Sequence, residues 1–186
     1  LQRAFDHIVH DVCVQNLPVI FCMDRAGIAG EDGPTHHGAL DIAYFRCIQG
    51  IVLAAPKNGN EFRNILYTAL NHGGPFGIRY PKFSSIEFEE SGQANLLPIG
   101  SWDVEKKGND LVILAVGPMV YSALRVAEDL VTQNILAEVV NCRFIKPMDK
   151  SYLKTIVSRG INNVLTIEEG VIEGGFGDGV SSFLSE

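Results

Sequence analysis

Short apolar runs alternate with stretches of helical period along this chain, and they do so twice. That alternation restricts the fold more than any other feature. Residues 17–23, 51–55 and 76–80 are apolar runs of strand length. Between them, residues 38–47 and 61–71 read as helices. Asn58 or Asn60 is placed to cap the second helix, with Glu61 in its first turn where the helix dipole favours a carboxylate. Gly73-Gly74 ends that helix and Pro81 closes the third run. Strands separated by helices imply parallel pairing, since parallel neighbours require a crossover. The pattern returns as strands at 111–116, 137–144 and 163–167 with helices at 119–133 and 149–158, followed by a glycine-rich run at 173–179. The stretch between the two units is acidic and lacks a period. The fold expected is therefore α/β: two parallel-sheet α/β domains, at 1–82 and 98–186, joined by a linker at 83–97. An amphipathic helix should open the chain, with Leu1, Phe5, Ile8, Val9, Val12 and Cys13 on one face and His7 and His10 largely on the solvated side.

Composition removes several classes of function. A hydrophobic share of 46% in 186 residues is ample for a packed core, and no apolar run approaches the ~20 residues of a membrane span. The formal charge of −7 argues against nucleic acid or an anionic membrane surface as partner. Residues 1–82 are balanced and the acidic excess lies beyond them, so an anionic ligand is easiest to accommodate in the first unit. Cys13, Cys22, Cys47 and Cys142 show no C-x-x-C pair and no zinc-like spacing, which fits reduced thiols and a cytoplasmic setting. No signal peptide is visible, and a start on Leu1 with a stop on Glu186 reads as a piece of something longer.

The chemistry gathers between the first strand and the first helix. Arg25, Asp32, His36 and His37 lie there among four glycines, Gly27, Gly30, Gly33 and Gly38. Loops at the carboxyl ends of parallel strands are where open α/β sheets place their ligands. Arg25, just past a strand, either pairs with Asp24 or Asp41 or awaits an anion. Arg79 stands at another strand end, and two guanidiniums on neighbouring strands would clamp a phosphate or carboxylate. The bland reading is two separate surface ion pairs of little worth. Asp32 and His36 flank the turn Gly33-Pro34-Thr35 and can share protons with a substrate hydroxyl or carbonyl; an Asx-type turn beside a solvated histidine is the plain alternative. Ligands for a metal are few. The run Gly174-Gly175-Phe176-Gly177-Asp178-Gly179 lacks dinucleotide-fingerprint spacing and reads as a tight strand-to-helix turn.

With these residues in hand the chain resembles the 1-deoxy-D-xylulose-5-phosphate synthase family of the transketolase superfamily. The motifs that carry the resemblance are Leu1-Gln2-Arg3-Ala4-Phe5-Asp6, Asp24-Arg25-Ala26-Gly27, Asp32-Gly33-Pro34-Thr35-His36, Ile78-Arg79-Tyr80-Pro81, Arg143-Phe144-Ile145-Lys146-Pro147-Met148-Asp149, Ile167-Glu168-Glu169 and Gly174-Gly175. The resemblance implies a thiamine-diphosphate and Mg²⁺ enzyme that joins pyruvate to glyceraldehyde 3-phosphate, releasing carbon dioxide, at the entry to isoprenoid synthesis. It implies that Arg25 and Arg79 hold the substrate phosphate with Arg3 nearby, and that Asp32 and His36 act at the reacting carbons. It further implies a cytoplasmic homodimer. The diphosphate–metal motif and the activating glutamate would lie in an upstream domain, and the second domain would continue past Glu186, so that this stretch alone would be inactive. Arg143, Lys146, Glu168 and Glu169 carry no assigned role. Transketolase is the nearest rival, the β subunit of a 2-oxo-acid dehydrogenase a weaker one. A doubly wound module used only for dimerisation or regulation would leave Arg25, Arg79 and His36 unexplained.

Overall fold

The computed structural model describes residues 2–82 and 87–186. Among the described residues, eight strands form two four-stranded sheets. The first holds β1 (Ile20–Met23), β2 (Val52–Ala54) and β3 (Phe76–Arg79), with helices α2 (Asp41–Cys47) and α3 (Gly59–His72) as crossovers. Its fourth strand is β7 (Phe144–Lys146); the order is β1-β3-β2-β7, and the first three strands are parallel as the alternation requires. Asn58 is the cap of α3: its side-chain oxygen accepts the Glu61 amide at 2.9 Å. Gly73 ends that helix in the left-handed region, where a side chain would be strained.

The second sheet holds β4 (Asp103–Lys106), β5 (Leu111–Ala115), β6 (Ala137–Asn141) and β8 (Val164–Ile167), with α4 (Met119–Val131) and α5 (Lys150–Ser158) between its parallel strands and α6 (Phe176–Leu184) at the end. Its order is β4-β6-β5-β8, with β4 antiparallel at the edge. The apolar run at 137–144 is not one strand. It breaks after β6 at Cys142-Arg143, and β7 (Phe144–Lys146) leaves for the first sheet, where it pairs antiparallel with β2. One apolar segment thus serves both sheets.

The two units also share one core. A single cluster runs from Ile42, Phe45 and Leu53 to Trp102, Leu114, Val140 and Phe176. Trp102 ties them further, donating its indole N–H to the Phe144 carbonyl at 2.8 Å. Of the proposed linker, residues 83–86 lie outside the described residues; the remainder is strapped along α3. The amides of Glu89, Asn95 and Leu97 donate to Asn60 Oδ1, Asn64 Oδ1 and Thr68 Oγ1 at 3.0, 2.9 and 2.9 Å. Those acceptors recur every four residues, so they share one helix face.

At the amino end, a 3₁₀ turn (Gln2–Ala4) passes into α1 (Phe5–His7) and then a π-helical stretch (Ile8–Cys13). Ile8 is buried against the shared core, Phe5, Val9 and Cys13 pack on it, and Leu1 is outside the described residues. His7 and His10 are exposed and pair with Asp11 and Asp6 one turn away.

Candidate active site

The site begins where β1 and β3 end side by side, Met23 opposite Arg79. Beyond Met23 the chain turns out through Arg25, which adopts a left-handed backbone. It then returns along itself: Gly27 and Gly38 exchange two backbone hydrogen bonds, at 3.1 and 2.8 Å. Gly38 must be glycine, because a Cβ there would stand 2.5 Å from the Arg25 carbonyl oxygen. His37 is a loop staple, its Nδ1 accepting the Ala29 amide at 3.0 Å. Two 3₁₀ turns, Gly30–Asp32 and Pro34–His36, join at Gly33 in the left-handed region and carry Asp32 back towards the strand ends.

There Asp32 meets two cations. Lys82 Nζ donates to both carboxylate oxygens at 2.8 Å, and Arg25 Nη1 lies 3.5 Å from Oδ2. Hydrogen bonding to the Lys82 ammonium, helped by the charges of Arg25 and His36, holds the Asp32 carboxyl below the usual carboxylate range. His36 is exposed beside this cluster and shares a 3.1 Å hydrogen bond with Thr35 Oγ1. The Arg25 and Lys82 side chains are 36% and 50% exposed, so solvent reaches both. Within this cluster of three, one carboxylate stands between two accessible cations, a local positive excess of the kind a phosphate requires.

Arg79 is placed differently from the clamp expected of it. Its strand is buried along its whole length, and a guanidinium there must be paired. The side chain is only 4% exposed; Nε donates to Asp41 Oδ2 at 2.8 Å, and Nη2 to the carbonyl of Glu169 at 3.0 Å and more weakly to that of Gly38. No pair of open guanidiniums forms. The second cation at the strand ends is Lys82, three residues further on and past Pro81, which the sequence reading passed over. The available signal was that a cation beyond the strand end reaches solvent whereas one inside the strand does not. Arg3 is exposed in the amino-terminal turn, and among the described residues no hydrogen bond or ion pair joins it to Arg25, Asp32 or Arg79.

The second unit completes the wall. Glu169, just past β8, lies over Gly27, where an added Cβ would come within 2.7 Å of its side chain. Glu168 turns the other way and accepts the amides of Phe176 and Gly177, both at 2.8 Å, capping α6. Among the described residues no three His, Cys, Asp or Glu side chains gather so that they could hold a metal ion. Asp32 is tied to Lys82 and Arg25, and Glu169 stands apart over Gly27, so the carboxylates at the site do not fit a Mg²⁺–diphosphate group.

A second polar cluster lies at the seam between the units. Buried Glu61 accepts from the Lys57 amide and Asn141 Nδ2, each at 2.7 Å, and stands 3.9 Å from Arg143. Burial pushes its carboxyl up despite these partners. Arg143 is held by Asp103 and by Ser101, and Lys57 by Glu105 at 2.5 Å. Lys146 donates to the carbonyls of Phe45, Arg46 and Ile48 at the carboxyl end of α2.

Two fused α/β units, with a cation-flanked loop at the strand ends of the first and a wall lent by the second, define the class of scaffold. Family models agree on which one: the transketolase pyrimidine-binding domain matches residues 1–85 and the transketolase C-terminal domain residues 100–186. The chain belongs to the transketolase family. Among curated proteins it is 46% identical to a 1-deoxy-D-xylulose-5-phosphate synthase of Aquifex aeolicus and 48% identical to that of Syntrophus aciditrophicus, over all of this chain and 29% and 28% of theirs. The synthase of a Cyanothece strain is 49% identical over all of this chain and 30% of its own. The chain therefore spans less than a third of the length of these relatives. Among solved structures, a split-gene transketolase described as an inactive β4 tetramer superimposes with a TM-score of 0.86 at 30% identity, over 98% of this chain and 58% of that one. No helix among the described residues is long and apolar enough to cross a membrane.

Proposed function

We propose that this chain supplies the acceptor-aldehyde side of a 1-deoxy-D-xylulose-5-phosphate synthase, the enzyme that condenses pyruvate with glyceraldehyde 3-phosphate and releases carbon dioxide. The observation that carries the reading is the Arg25–Asp32–Lys82 cluster at adjoining strand ends, with His36 at its edge. Arg25 and Lys82 bind the phosphate of the aldehyde. Asp32 holds the two cations parallel before substrate arrives, and His36 hydrogen-bonds or moves a proton at the reacting carbon. Arg79 serves from behind the site, through Asp41. Thiamine diphosphate, with Mg²⁺, supplies the carbanion chemistry when bound; its ligands belong to polypeptide beyond this chain. A cytoplasmic homodimer completes the proposal.

Ketol transfer of the transketolase type is the second reading, favoured by the structural likeness to a transketolase. The higher identity to the synthases weighs against it. The donor separates the two: the synthase releases carbon dioxide from pyruvate, whereas a ketol transferase needs a ketose donor.

The test uses the full-length polypeptide with pyruvate and either glyceraldehyde 3-phosphate or unphosphorylated glyceraldehyde. A charge-assisted contact is worth ~1.5–3 kcal/mol, so Arg25→Ala should lower kcat/KM for the phosphorylated aldehyde by roughly 10–150-fold. The unphosphorylated aldehyde should lose far less. Equal losses on both acceptors would rule out the phosphate assignment.

A further inference from the structure

The short helix α2 is tied at each end to the same loop of the second unit, directly by Arg46 and by way of Arg79 from Asp41. At its amino end, Asp41 holds Arg79, whose Nη2 reaches the Glu169 carbonyl at 3.0 Å. At its carboxyl end, Arg46 Nη1 donates to the carbonyls of Gly174, at 2.7 Å, and Gly175, and lies 3.6 Å from Asp178. Between these anchors the Val171 amide donates to the Ala39 carbonyl at 3.1 Å. The loop between Glu168 and Gly175 thus lies flat on α2, so close that a Cβ on Gly174 would stand 3.2 Å from that of Ala43.

This loop also touches the anion site. Its Glu169 side chain occupies the space over Gly27, which is bonded to Gly38, which in turn packs on the Arg25 carbonyl. A displacement of the loop would reach Arg25 through the Glu169 side chain, the Gly27–Gly38 pair and the Arg25 carbonyl. Packed contacts of this kind have discrete arrangements rather than a soft continuum.

We propose that Arg46 and Asp41 are positioning residues: by clamping the 168–175 loop at both ends they set the geometry of the Arg25 side of the phosphate site, and with it the affinity for the phosphorylated acceptor. This rests on the proposed function for the identity of the substrate, but not for the existence of the anion site. Neither residue touches the Arg25–Asp32–Lys82 cluster: Arg46 acts on it through the loop, whereas Asp41 acts through Arg79, which also donates weakly to the Gly38 carbonyl, so Arg46 is the cleaner probe of the loop.

Arg46→Gln in the full-length protein is the primary test, with Asp41→Asn as the second variant. A misplacement of about 1 Å costs on the order of 10²-fold at a reacting centre, and a smaller shift at a binding group should raise the KM for glyceraldehyde 3-phosphate roughly tenfold. The KM for pyruvate and the rate with unphosphorylated glyceraldehyde should stay within about twofold of wild type. Arg46→Lys, which can still reach one carbonyl, should recover part of the loss. The dissociation constant for inorganic phosphate should weaken in parallel, and this readout needs no turnover. If wild type shows no synthase activity while Arg46→Gln still weakens phosphate binding, the synthase reading fails and the positioning role stands. Wild-type KM and phosphate affinity in Arg46→Gln, or equal losses on every substrate, would overturn it.

Discussion

At the scale of single residues, Arg79 and Lys82 show how position in a strand decides what a cation does. Arg79 lies within a strand buried on both faces and is consumed by Asp41; Lys82 lies past Pro81 and reaches solvent. Their variants should fail in different ways. Lys82→Met should leave unfolding unchanged and lower kcat/KM selectively for the phosphorylated aldehyde by roughly 10–150-fold. Arg79→Met leaves Asp41 buried and unpaired, which costs about 3–5 kcal/mol, and should appear first as a lowered denaturant midpoint. Glu61 offers a pH test at the same scale. Because burial raises its folded-state pKa, its contribution is complete below the usual glutamate range and is lost as pH rises through the raised value. Glu61→Gln removes that loss, so the Tm of the variant relative to wild type should climb as pH rises above the usual glutamate range. A difference in Tm that stays flat with pH would show that Glu61 is charged throughout.

Among the elements, the break after β6 matters most. The run 137–144 has strand composition throughout, yet Asn141, Cys142 and Arg143 turn the chain from one sheet to the other. The Cys142 amide still bonds to Ala115 in the second sheet, at 2.8 Å. The Arg143 carbonyl already accepts the Ala55 amide, also at 2.8 Å, in the first. Phe144 then fills the core of the first sheet against Ile65, Phe76 and Ile78. Phe144→Ala should therefore destabilise by about 3–5 kcal/mol in chemical denaturation, as for a core aromatic, although it belongs to the second half of the sequence. Helix α3 is likewise more than a crossover, since its Asn60, Asn64 and Thr68 bind the backbone of the connecting segment.

For the whole molecule, a core cluster common to both sheets and one borrowed strand make the halves a cooperative unit. The chain should unfold in a single transition, with fluorescence of Trp102, which sits at the junction, and far-ultraviolet dichroism coinciding. Separate transitions would show that the seam is weaker than its packing implies. The same completeness does not extend to the cofactor. The purified 186-residue chain, titrated calorimetrically with thiamine diphosphate and Mg²⁺, should show no sub-micromolar binding, since no cluster of carboxylates able to hold the metal gathers among its described residues.

Local signals were enough for the α/β class, the parallel strands and the cap and stop of α3, because periodicity, an Asn before a helix and a glycine after it act over a few residues. Motifs singled out the loop after β1, where Arg25 and Asp32 come within 3.5 Å and His36 is exposed. Long-range contacts decided the rest. No local pattern says that β7 will pair with β2 rather than extend β6, since both alternatives bury the same apolar side chains. Nor does composition say which of two nearby cations will be buried: Arg79 and Lys82 differ only in their depth relative to a sheet that exists once distant strands have paired. Glu169 and Arg46 became part of the site's surroundings for the same reason, because the contacts that matter to them cross more than a hundred residues of chain.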